Sequence, residues 1–233
     1  MIEIRRDKEI YEKEGEWFHA RWHFSFDDYR DPAWLQIGSL RVFNDDRLIP
    51  GVAWPMHPHR DIEGLTYVVE GTFGHADNLG GDYQILPAGS AQRMTLGSGA
   101  WHSEQNASKT EPLRFIQMWI MPRERGLTPG VEQKVFTTQD RTDRWLEIIS
   151  GGGGDAVLVH QDASVYVSSL SRGTAIEHSF EPGRGGYLYL IEGRVQIGDD
   201  ILETGDAAKI TGGHRMVVEA DEPSELILVA VRL

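Results

Sequence analysis

The sequence contains no cysteine. This absence excludes disulfides, thiolate-bound zinc, iron–sulfur clusters and cysteine nucleophiles, so any metal must be held by nitrogen and oxygen atoms. Long apolar runs are also missing, because none approaches the roughly 18–20 residues needed to span a bilayer. The N-terminal stretch MIEIRRDKEIYEKEGEW lacks the apolar core typical of a signal peptide. We therefore expect a cytoplasmic protein without a membrane segment.

Basic residues are few relative to acidic ones. The chain has 23 Lys and Arg against 36 Asp and Glu, which gives a formal net charge of −13. Such a chain repels phosphate backbones, which argues against direct nucleic-acid binding through a broad basic face. The charge leaves open a small-molecule substrate or a basic protein partner. A monomer is expected.

Helical periodicity is poor, and the chain consists mainly of short runs typical of β-strands. These runs are rich in Val, Ile, Leu, Tyr and Phe, and turn residues separate them about every ten positions. The clearest are LTYVVEG (65–71), LRFIQMWIMP (113–122), VLVHQ (157–161), VYVSSL (165–170), YLYLIEG (187–193) and ELILVAVRL (225–233). A short helix is expected only within DRTDRWLEII (140–149). The pattern predicts an all-β fold of antiparallel strands, either a sandwich or a barrel.

An internal repeat indicates two tandem copies of one β-domain. GLTYVVEG (64–71) matches GYLYLIEG (186–193) at an offset of 122 residues, and LPAGSA (86–91) matches LETGDA (202–207) at an offset of 116. A repeat period above a hundred residues indicates a duplicated domain and not a solenoid. We expect two tandem antiparallel barrels, residues 1–135 and 136–233, connected within residues 123–155.

Two pairs of polar residues have the spacing of metal ligands on strands. His57 and His59 flank Pro58, which favours an extended backbone in which residues i and i+2 share a face. His102 and Glu104 repeat this spacing after a Gly-Ser-Gly turn. Strands that leave a sheet and return beside it would bring three imidazoles and one carboxylate together, a set that suits a divalent transition metal with open positions. The alternative is four unrelated polar residues near turns.

The second copy lacks this set. Applying the two repeat offsets to the four residues gives Ser179, Glu181, Val218 and Ala220. His178 and His214 lie nearby in sequence, but neither belongs to a pair at i, i+2 spacing. The sequence therefore predicts that the C-terminal barrel binds no metal.

Three stretches resemble the pirin family, bicupin proteins of the cupin superfamily: RWHFSFDDYRDP, HPHRDIEGLTYVVEG and LPAGSAQRMTLGSGAWHSE. The resemblance covers essentially the whole chain. It implies two cupin barrels facing each other, with one mononuclear metal in the N-terminal barrel. The family's ligand set falls on His57, His59, His102 and Glu104. The metal implied is Fe(II), although imidazole and carboxylate also suit Mn, Co, Ni, Cu and Zn.

The resemblance implies an activity like that of quercetin 2,3-dioxygenase. The 3-hydroxyl of a flavonol-like aromatic substrate would bind the metal and lose its proton to Glu104, the expected catalytic base, and O2 would then open the ring. One alternative is a non-enzymatic iron-dependent regulator that binds a partner protein. A third possibility, a cupin isomerase or hydrolase acting on sugars or polyols, would need further acid–base residues that the sequence does not identify.

Several other residues carry expectations about their surroundings. Glu63 is a candidate outer partner for the histidine pair, since ligating histidines usually donate their second N–H to a carboxylate or carbonyl. His19 and His23 are expected to pack among aromatic side chains, His75 to be exposed and His160 to be a hydrogen-bonded core residue. The side chains expected to form an apolar pocket around the site are Phe73, Met94, Phe115, Met118 and Trp119.

Overall fold

The computed structural model describes residues 1–81, 83–212 and 215–233. Within these ranges the chain forms 22 strands, one short α-helix and one 3-10 turn at Asp7–Glu9, which confirms the predicted all-β class. The helix, α1 (Thr138–Arg141), lies at the start of the stretch predicted to contain one, and a strand follows it. No helix in the described part of the chain is long and apolar enough to cross a membrane.

The strands fall into two matching series. The first series is β1 (Ile2–Arg5), β2 (Tyr11–Glu14), β3 (Phe18–Trp22), β4 (Leu40–Leu48), β5 (His57–His59), β6 (Glu63–Glu70), β7 (Thr72–Asp77), β8 (Gln84–Pro87), β9 (Ser90–Thr95), β10 (Ala100–Asn106), β11 (Leu113–Ile120) and β12 (Gly130–Val135). The second is β13 (Leu146–Ser150), β14 (Val157–Leu158), β15 (Ala163–Leu170), β16 (Ala175–Ser179), β17 (Arg184–Glu192), β18 (Arg194–Ile197), β19 (Asp200–Glu203), β20 (Ala207–Ile210), β21 (Arg215–Ala220) and β22 (Ser224–Arg232).

Apart from β1, each series forms one barrel-like unit from a large and a small sheet. The first large sheet has the order β12-β9-β6-β11-β4-β3-β2, and its small sheet has the order β5-β10-β7-β8. The second large sheet has the order β1-β20-β17-β22-β15-β13-β14, and its small sheet has the order β16-β21-β18-β19. The central strands correspond one to one, so the duplication inferred from the sequence is visible as two copies of the same architecture.

The edge strands of the two large sheets come from unexpected parts of the chain. β12 pairs with β9 in the first large sheet. The N-terminal strand β1, in contrast, crosses to the second large sheet and pairs with β20, with Ile2 opposite Ile210 and Arg5 opposite Ala207. The division of the chain into residues 1–135 and 136–233 stays a prediction, and in terms of sheet pairing residues 2–5 lie with the second series.

The two large sheets pack face to face through an apolar layer, here called the seam. Its central side chains come from alternate positions of β6, β11, β17 and β22: Leu65, Tyr67, Ile116, Met118, Tyr187, Tyr189, Ile227 and Val229. Because side chains alternate along a strand, the intervening residues of these strands point into the barrel interiors. The second barrel fills its interior with apolar residues that include Leu188, Leu190, Leu226 and Leu228.

The Glu-Gly step that reveals the repeat has a steric explanation. Gly71 and Gly193 both have positive φ, 83° and 106°, the region that favours glycine. A Cβ at Gly71 would meet the carbonyl oxygen of Pro112, and one at Gly193 would meet the side chain of Ser224. Both copies therefore need glycine where the chain turns into the small sheet.

Candidate metal centre

The two pairs of polar residues meet where β5 pairs with β10. His57 lies opposite His102, and His59 lies opposite Ala100. Nitrogen atoms of the three imidazoles lie within 4.8 Å of one another. The ring centroids of His57 and His102 are 4.5 Å apart, and those of His59 and His102 are 5.3 Å apart. The i, i+2 spacing thus places the histidines together as the sequence predicts.

Glu104 lies two residues beyond His102 on β10 and faces the same way. Its Oε1 is 3.3 Å from Nδ1 of His102, and its Oε2 is 4.0 Å from Nε2 of His57. The Gln117 Nε2 group donates a hydrogen bond of 3.0 Å to Oε1. Burial raises the pKa of Glu104 to about 7, against the opposing effects of the His57 charge and the Gln117 hydrogen bond. The carboxylate is therefore in reach of a metal held by the histidines.

The structure favours the neutral imidazole, which is the form of histidine that binds metals. Burial lowers the pKa of His102 to about 2 and that of His59 to about 4, so both rings are neutral near pH 7. His57 Nδ1 lies 2.8 Å from the Pro55 carbonyl oxygen, to which an Nδ1–H donates. This hydrogen bond leaves the lone pair of Nε2 free to face the other two rings.

The donor set fits a divalent transition metal. His102 is only 4% exposed, and neither of its ring nitrogens has a hydrogen-bond partner among the residues that the structure describes. A buried polar group without a partner destabilises a fold by roughly 1–3 kcal/mol, and a metal would satisfy it. Three imidazoles with one carboxylate match the nitrogen and oxygen preference of Fe, Ni, Zn and their neighbours. In the described part of the chain, these histidines are the one group of three with this geometry.

A cavity of about 980 Å³ opens onto these residues. Its walls are largely aromatic: Phe18, Trp22, Phe26, Trp54, Phe115 and Trp119. Its polar lining side chains, apart from the candidate ligands, are Lys13, Asp27, Arg30, Arg41, Asn44, Asp46 and Gln117. This volume lies in the range of roughly 300–1,000 Å³ typical of small-molecule sites.

Two of the five side chains predicted to form the pocket line it, namely Phe115 and Trp119. The prediction is wrong for the other three. Met118 lies between them on β11 and points into the seam, whereas Phe73 and Met94 belong to separate apolar clusters. Strand alternation explains the division of β11, because residues 115, 117 and 119 share one face and residue 118 lies on the other.

Backbone hydrogen bonds fix the correspondence between the two barrels. The Ala107 N–H donates to the Thr72 carbonyl, and in the second barrel the Asp221 N–H donates to the Arg194 carbonyl. β10 therefore corresponds to β21 at an offset of 114 residues, although the preceding turn matches at 116. The second copy is thus two residues shorter between that turn and β21.

The counterparts of His57, His59, His102 and Glu104 are, in this order, His178, Phe180, Met216 and Val218. The counterparts predicted from the sequence, Ser179, Glu181, Val218 and Ala220, are wrong by one or two residues. Phe180, Met216 and Val218 are buried in the apolar interior of the second barrel. The second barrel thus keeps one imidazole of the four donors and fills the other positions with core side chains. His214 lies outside the described residues.

The outer-partner role predicted for Glu63 is wrong. Its buried carboxylate accepts hydrogen bonds from the Thr95 hydroxyl at 2.8 Å and from the His160 backbone N–H at 2.7 Å, and it also pairs with the His160 ring. Glu63 therefore connects the two barrels and does not orient the histidine pair. His160 makes the predicted hydrogen bonds but is not a core residue, since its side chain is 39% exposed.

The predictions for the remaining histidines are correct for His23 and wrong for His19 and His75. His23 is fully buried and its ring packs against aromatic residues that include Phe43, as predicted, whereas His19 pairs with Glu12. The prediction that His75 is exposed is wrong, because it is 1% exposed and its ring centroid lies 5.9 Å from that of His102. Its position opposite Glu104 explains this burial.

Comparison with known proteins gives matches along nearly the whole chain. Residues 4–120 match the Pirin family model, and residues 147–231 match the model described as quercetinase C-terminal cupin domain. The chain is 37% identical over 230 residues to the quercetin 2,3-dioxygenase of Escherichia coli strain K12, covering 98% of this chain and 97% of that protein. It is 37% identical over 215 residues to a pirin-like protein of Caulobacter vibrioides, covering 91% and 92% of the two chains.

The fold is also similar to that of a solved structure. The crystal structure of the bacterial pirin YhhW in complex with nickel(II) from Escherichia coli superposes with a TM-score of 0.93 and 35% sequence identity. The match covers 100% of this chain and 99% of that one. The similarity therefore extends over both barrels and the seam between them.

Proposed function

The chain belongs to the pirin family, and from this premise we propose that it is a metal-dependent dioxygenase of the quercetin 2,3-dioxygenase type. Its substrate would be a planar flavonol-like aromatic compound, oxidised together with O2. The observation that carries the proposal is the aromatic cavity of about 980 Å³ that opens directly onto three histidines and a buried carboxylate. The names of relatives that are 37% identical over nearly the whole chain support the same class of reaction.

In this proposal His57, His59, His102 and Glu104 hold one divalent metal in an N-terminal domain of residues 1–135. Fe(II) is the proposed metal in the cell, and the nickel(II) complex of the similar bacterial pirin supports binding of a divalent ion. When bound, such a metal acidifies a hydroxyl group of the substrate and supplies the redox chemistry that dioxygen requires. The domain of residues 136–233 would bind no metal, since its interior is apolar at three of the four counterpart positions.

The aromatic walls would hold a flat substrate in the cavity. Trp119 packs edge-on against the His59 ring, with centroids 4.7 Å apart, and Phe26 packs against Trp119 at 5.3 Å. Trp22 extends this surface, since its ring centroid lies 5.0 Å from that of Phe26. Aromatic faces and edges stabilise a planar ligand through stacked and T-shaped contacts. The walls would also keep water away from the reacting ring.

Glu104 would accept the proton of the substrate hydroxyl. Its carboxylate is buried beside the histidines and faces the cavity, so it would lie within reach of a substrate hydroxyl there. Gln117 holds the carboxylate in place through its Nε2 group. The Thr66 hydroxyl donates a hydrogen bond of 3.1 Å to Oε1 of Gln117, which fixes the orientation of the amide. These contacts prepare one carboxylate oxygen to receive a proton.

The test is oxygen uptake with quercetin by protein loaded anaerobically with Fe(II), with metal content measured on the same samples. Wild-type protein should bind about one metal per chain and consume oxygen. Glu104→Gln should keep metal on the three imidazoles and lose about 10²-fold or more in kcat, the usual contribution of a positioned base. Glu177→Gln, which alters an exposed carboxylate in the second barrel, is the matched control and should behave like the wild type.

Two results would contradict the proposal. Wild-type protein that binds metal but consumes no oxygen with quercetin would reject the dioxygenase and favour the non-enzymatic, partner-binding regulator. Wild-type protein that takes up no metal even after loading would reject the site itself.

A further inference from the structure

The cavity wall contains polar residues that the metal chemistry does not use. β4 lies between β11 and β3 in the first large sheet. Its residues Val42, Asn44 and Asp46 point into the cavity, whereas Phe43 and Asp45, between them, point into the seam. Asn44 is 3% exposed and Asp46 is 6% exposed. Two buried polar side chains therefore share this wall of the cavity with aromatic residues.

These two side chains have unused hydrogen-bonding capacity. Asn44 Oδ1 is buried and has no hydrogen-bond partner within residues 1–81, 83–212 and 215–233. Asp46 faces the cavity, and in the described part of the chain no side chain or backbone group hydrogen-bonds to its carboxyl group. Burial and the nearby charges of Asp45 and Glu104 raise the pKa of Asp46 well above its usual range. Because buried polar atoms normally have partners, the unpaired Asn44 Oδ1, on the same wall as a carboxyl group that faces the cavity, indicates that a ligand supplies one.

The positions of Asn44 and Asp46 relative to the metal centre indicate which small molecule could bind to them. Asn44 lies directly opposite Gln117, which hydrogen-bonds Glu104, so the polar strip starts beside the metal centre and runs along β4 to Asp46. Trp22 lies opposite Asn44 on β3, and Phe115 lies opposite Asp46 on β11. Aromatic side chains therefore flank the strip on both neighbouring strands.

We propose that Asn44 and Asp46 form a second recognition site, which binds hydroxyl groups of a flat aromatic substrate other than the hydroxyl at the metal. This inference rests on the proposed function and specifies its substrate class as polyhydroxylated. Asn44 Oδ1 accepts a hydrogen bond from one hydroxyl, and the carboxyl group of Asp46 pairs with another. A substrate without these hydroxyls leaves both groups buried and unpaired, which lowers its affinity.

The test compares two ligands that differ only in the predicted feature. Quercetin and 3-hydroxyflavone share the neighbouring hydroxyl and carbonyl groups that can bind a metal, but only quercetin carries further hydroxyls. Their dissociation constants are measured by titration of nickel(II)-loaded protein without oxygen. Wild-type protein should bind quercetin about ten-fold more tightly, as expected for two hydrogen bonds of ordinary net strength.

Three substitutions and a control test whether Asn44 and Asp46 cause the preference for quercetin over 3-hydroxyflavone. Asn44→Leu and Asp46→Leu should each lower the ratio of the two affinities by about three-fold or more. Asp46→Asn, which still donates and accepts, should retain the wild-type ratio. Val42→Ala removes an apolar contact on the same face of β4 and should weaken both ligands alike, leaving the ratio unchanged. A ratio measured within one variant is unaffected by its fraction of folded protein.

The inference is overturned if wild-type protein binds the two ligands equally, or if both leucine variants keep the wild-type ratio. The binding ratio is obtained without turnover, so the two proposals fail separately. Oxygen uptake by wild type combined with unchanged ratios in the leucine variants rejects the second recognition site alone. Absence of uptake combined with a ratio that depends on Asn44 and Asp46 rejects the dioxygenase and retains the recognition site.

Discussion

Replacing His102 with methionine should stabilise the protein without metal and destabilise it with metal. The substitution copies the second barrel, where Met216 occupies the corresponding position and is 1% exposed. His102 is similarly buried, at 4% exposure, but no described residue hydrogen-bonds to either of its ring nitrogens. Methionine is flexible, of similar size and free of strong polar groups, so it can fill the position without leaving such atoms buried.

The change in the free energy of unfolding can be estimated from the buried polar group removed and the packing of the new side chain. An unsatisfied buried polar group costs roughly 1–3 kcal/mol, and imperfect packing of the new side chain offsets part of the gain, so we expect a net stabilisation of about 1–2 kcal/mol in chelator. For a chain of this size that corresponds to an increase in Tm of about 2–8 °C. With metal at 100 times its Kd, wild-type protein should gain about 2.7 kcal/mol, which the variant should lack.

The assay is thermal unfolding of both proteins at pH 7.5, in EDTA and in excess nickel(II). The order of Tm values should reverse between the two conditions. Met216→His is the mirror control: it buries an imidazole in the apolar second barrel and should lower Tm by a similar amount with and without metal. The reasoning is refuted if His102→Met is less stable than wild type in EDTA. A full nickel(II) response in the variant would refute the ligand role of His102.

Two other predictions concern buried ionisable side chains outside the metal centre. Burial lowers the pKa of His23 to about 3, so the folded protein resists protonation there while the unfolded chain binds a proton near pH 6.5. The contribution of His23 to stability should therefore fall by about 1.4 kcal/mol per pH unit below 6.5 until about pH 3. Urea unfolding at pH 7 and pH 5 measures this, and a His23→Phe variant with the same pH dependence as wild type would show that the acid sensitivity originates elsewhere. Asp45 Oδ2 lies 2.6 Å from Arg114 and 2.7 Å from the Tyr189 hydroxyl, so Asp45→Ala should leave a buried unpaired charge and cost about 3–5 kcal/mol. Denaturant unfolding tests it, and a loss below about 1 kcal/mol, the range of a surface pair, would contradict the burial argument.

The sequence predicts the candidate metal centre because its information is local. His57 and His59, and likewise His102 and Glu104, are each separated by one residue on a strand, so alternation alone puts each pair on one face. The Glu-Gly turns reveal the duplication for a similar reason, since a positive φ at Gly71 and Gly193 demands the same residue in both copies. Structural features that depend on one or two neighbouring residues can therefore be recognised from the sequence alone.

Other features depend on pairing between distant segments and leave no such pattern. Asn44 and Asp46 cannot be recognised from the sequence because β4, LRVFNDDRL, is buried on both faces, so polar and apolar residues do not alternate along it. The burial of His75 has no local signal, because only its register opposite Glu104 shows that it points inward. The crossing of β1 to β20 has no local signal either, since two strands can pair at any separation along the chain.

The crossing of β1 has a consequence for biosynthesis. Just after this strand, the Asp7 backbone N–H donates to the carboxylate of Asp206, 199 residues later in the chain. At a ribosomal rate of about 5–20 residues per second, β1 waits roughly 10–40 s after its own synthesis for its partner. During that interval the first barrel can assemble, because β12 and every other strand of its two sheets precede residue 136. Closure of the second large sheet then joins two segments made far apart in time, so this sheet can be completed only after β20 has been synthesised.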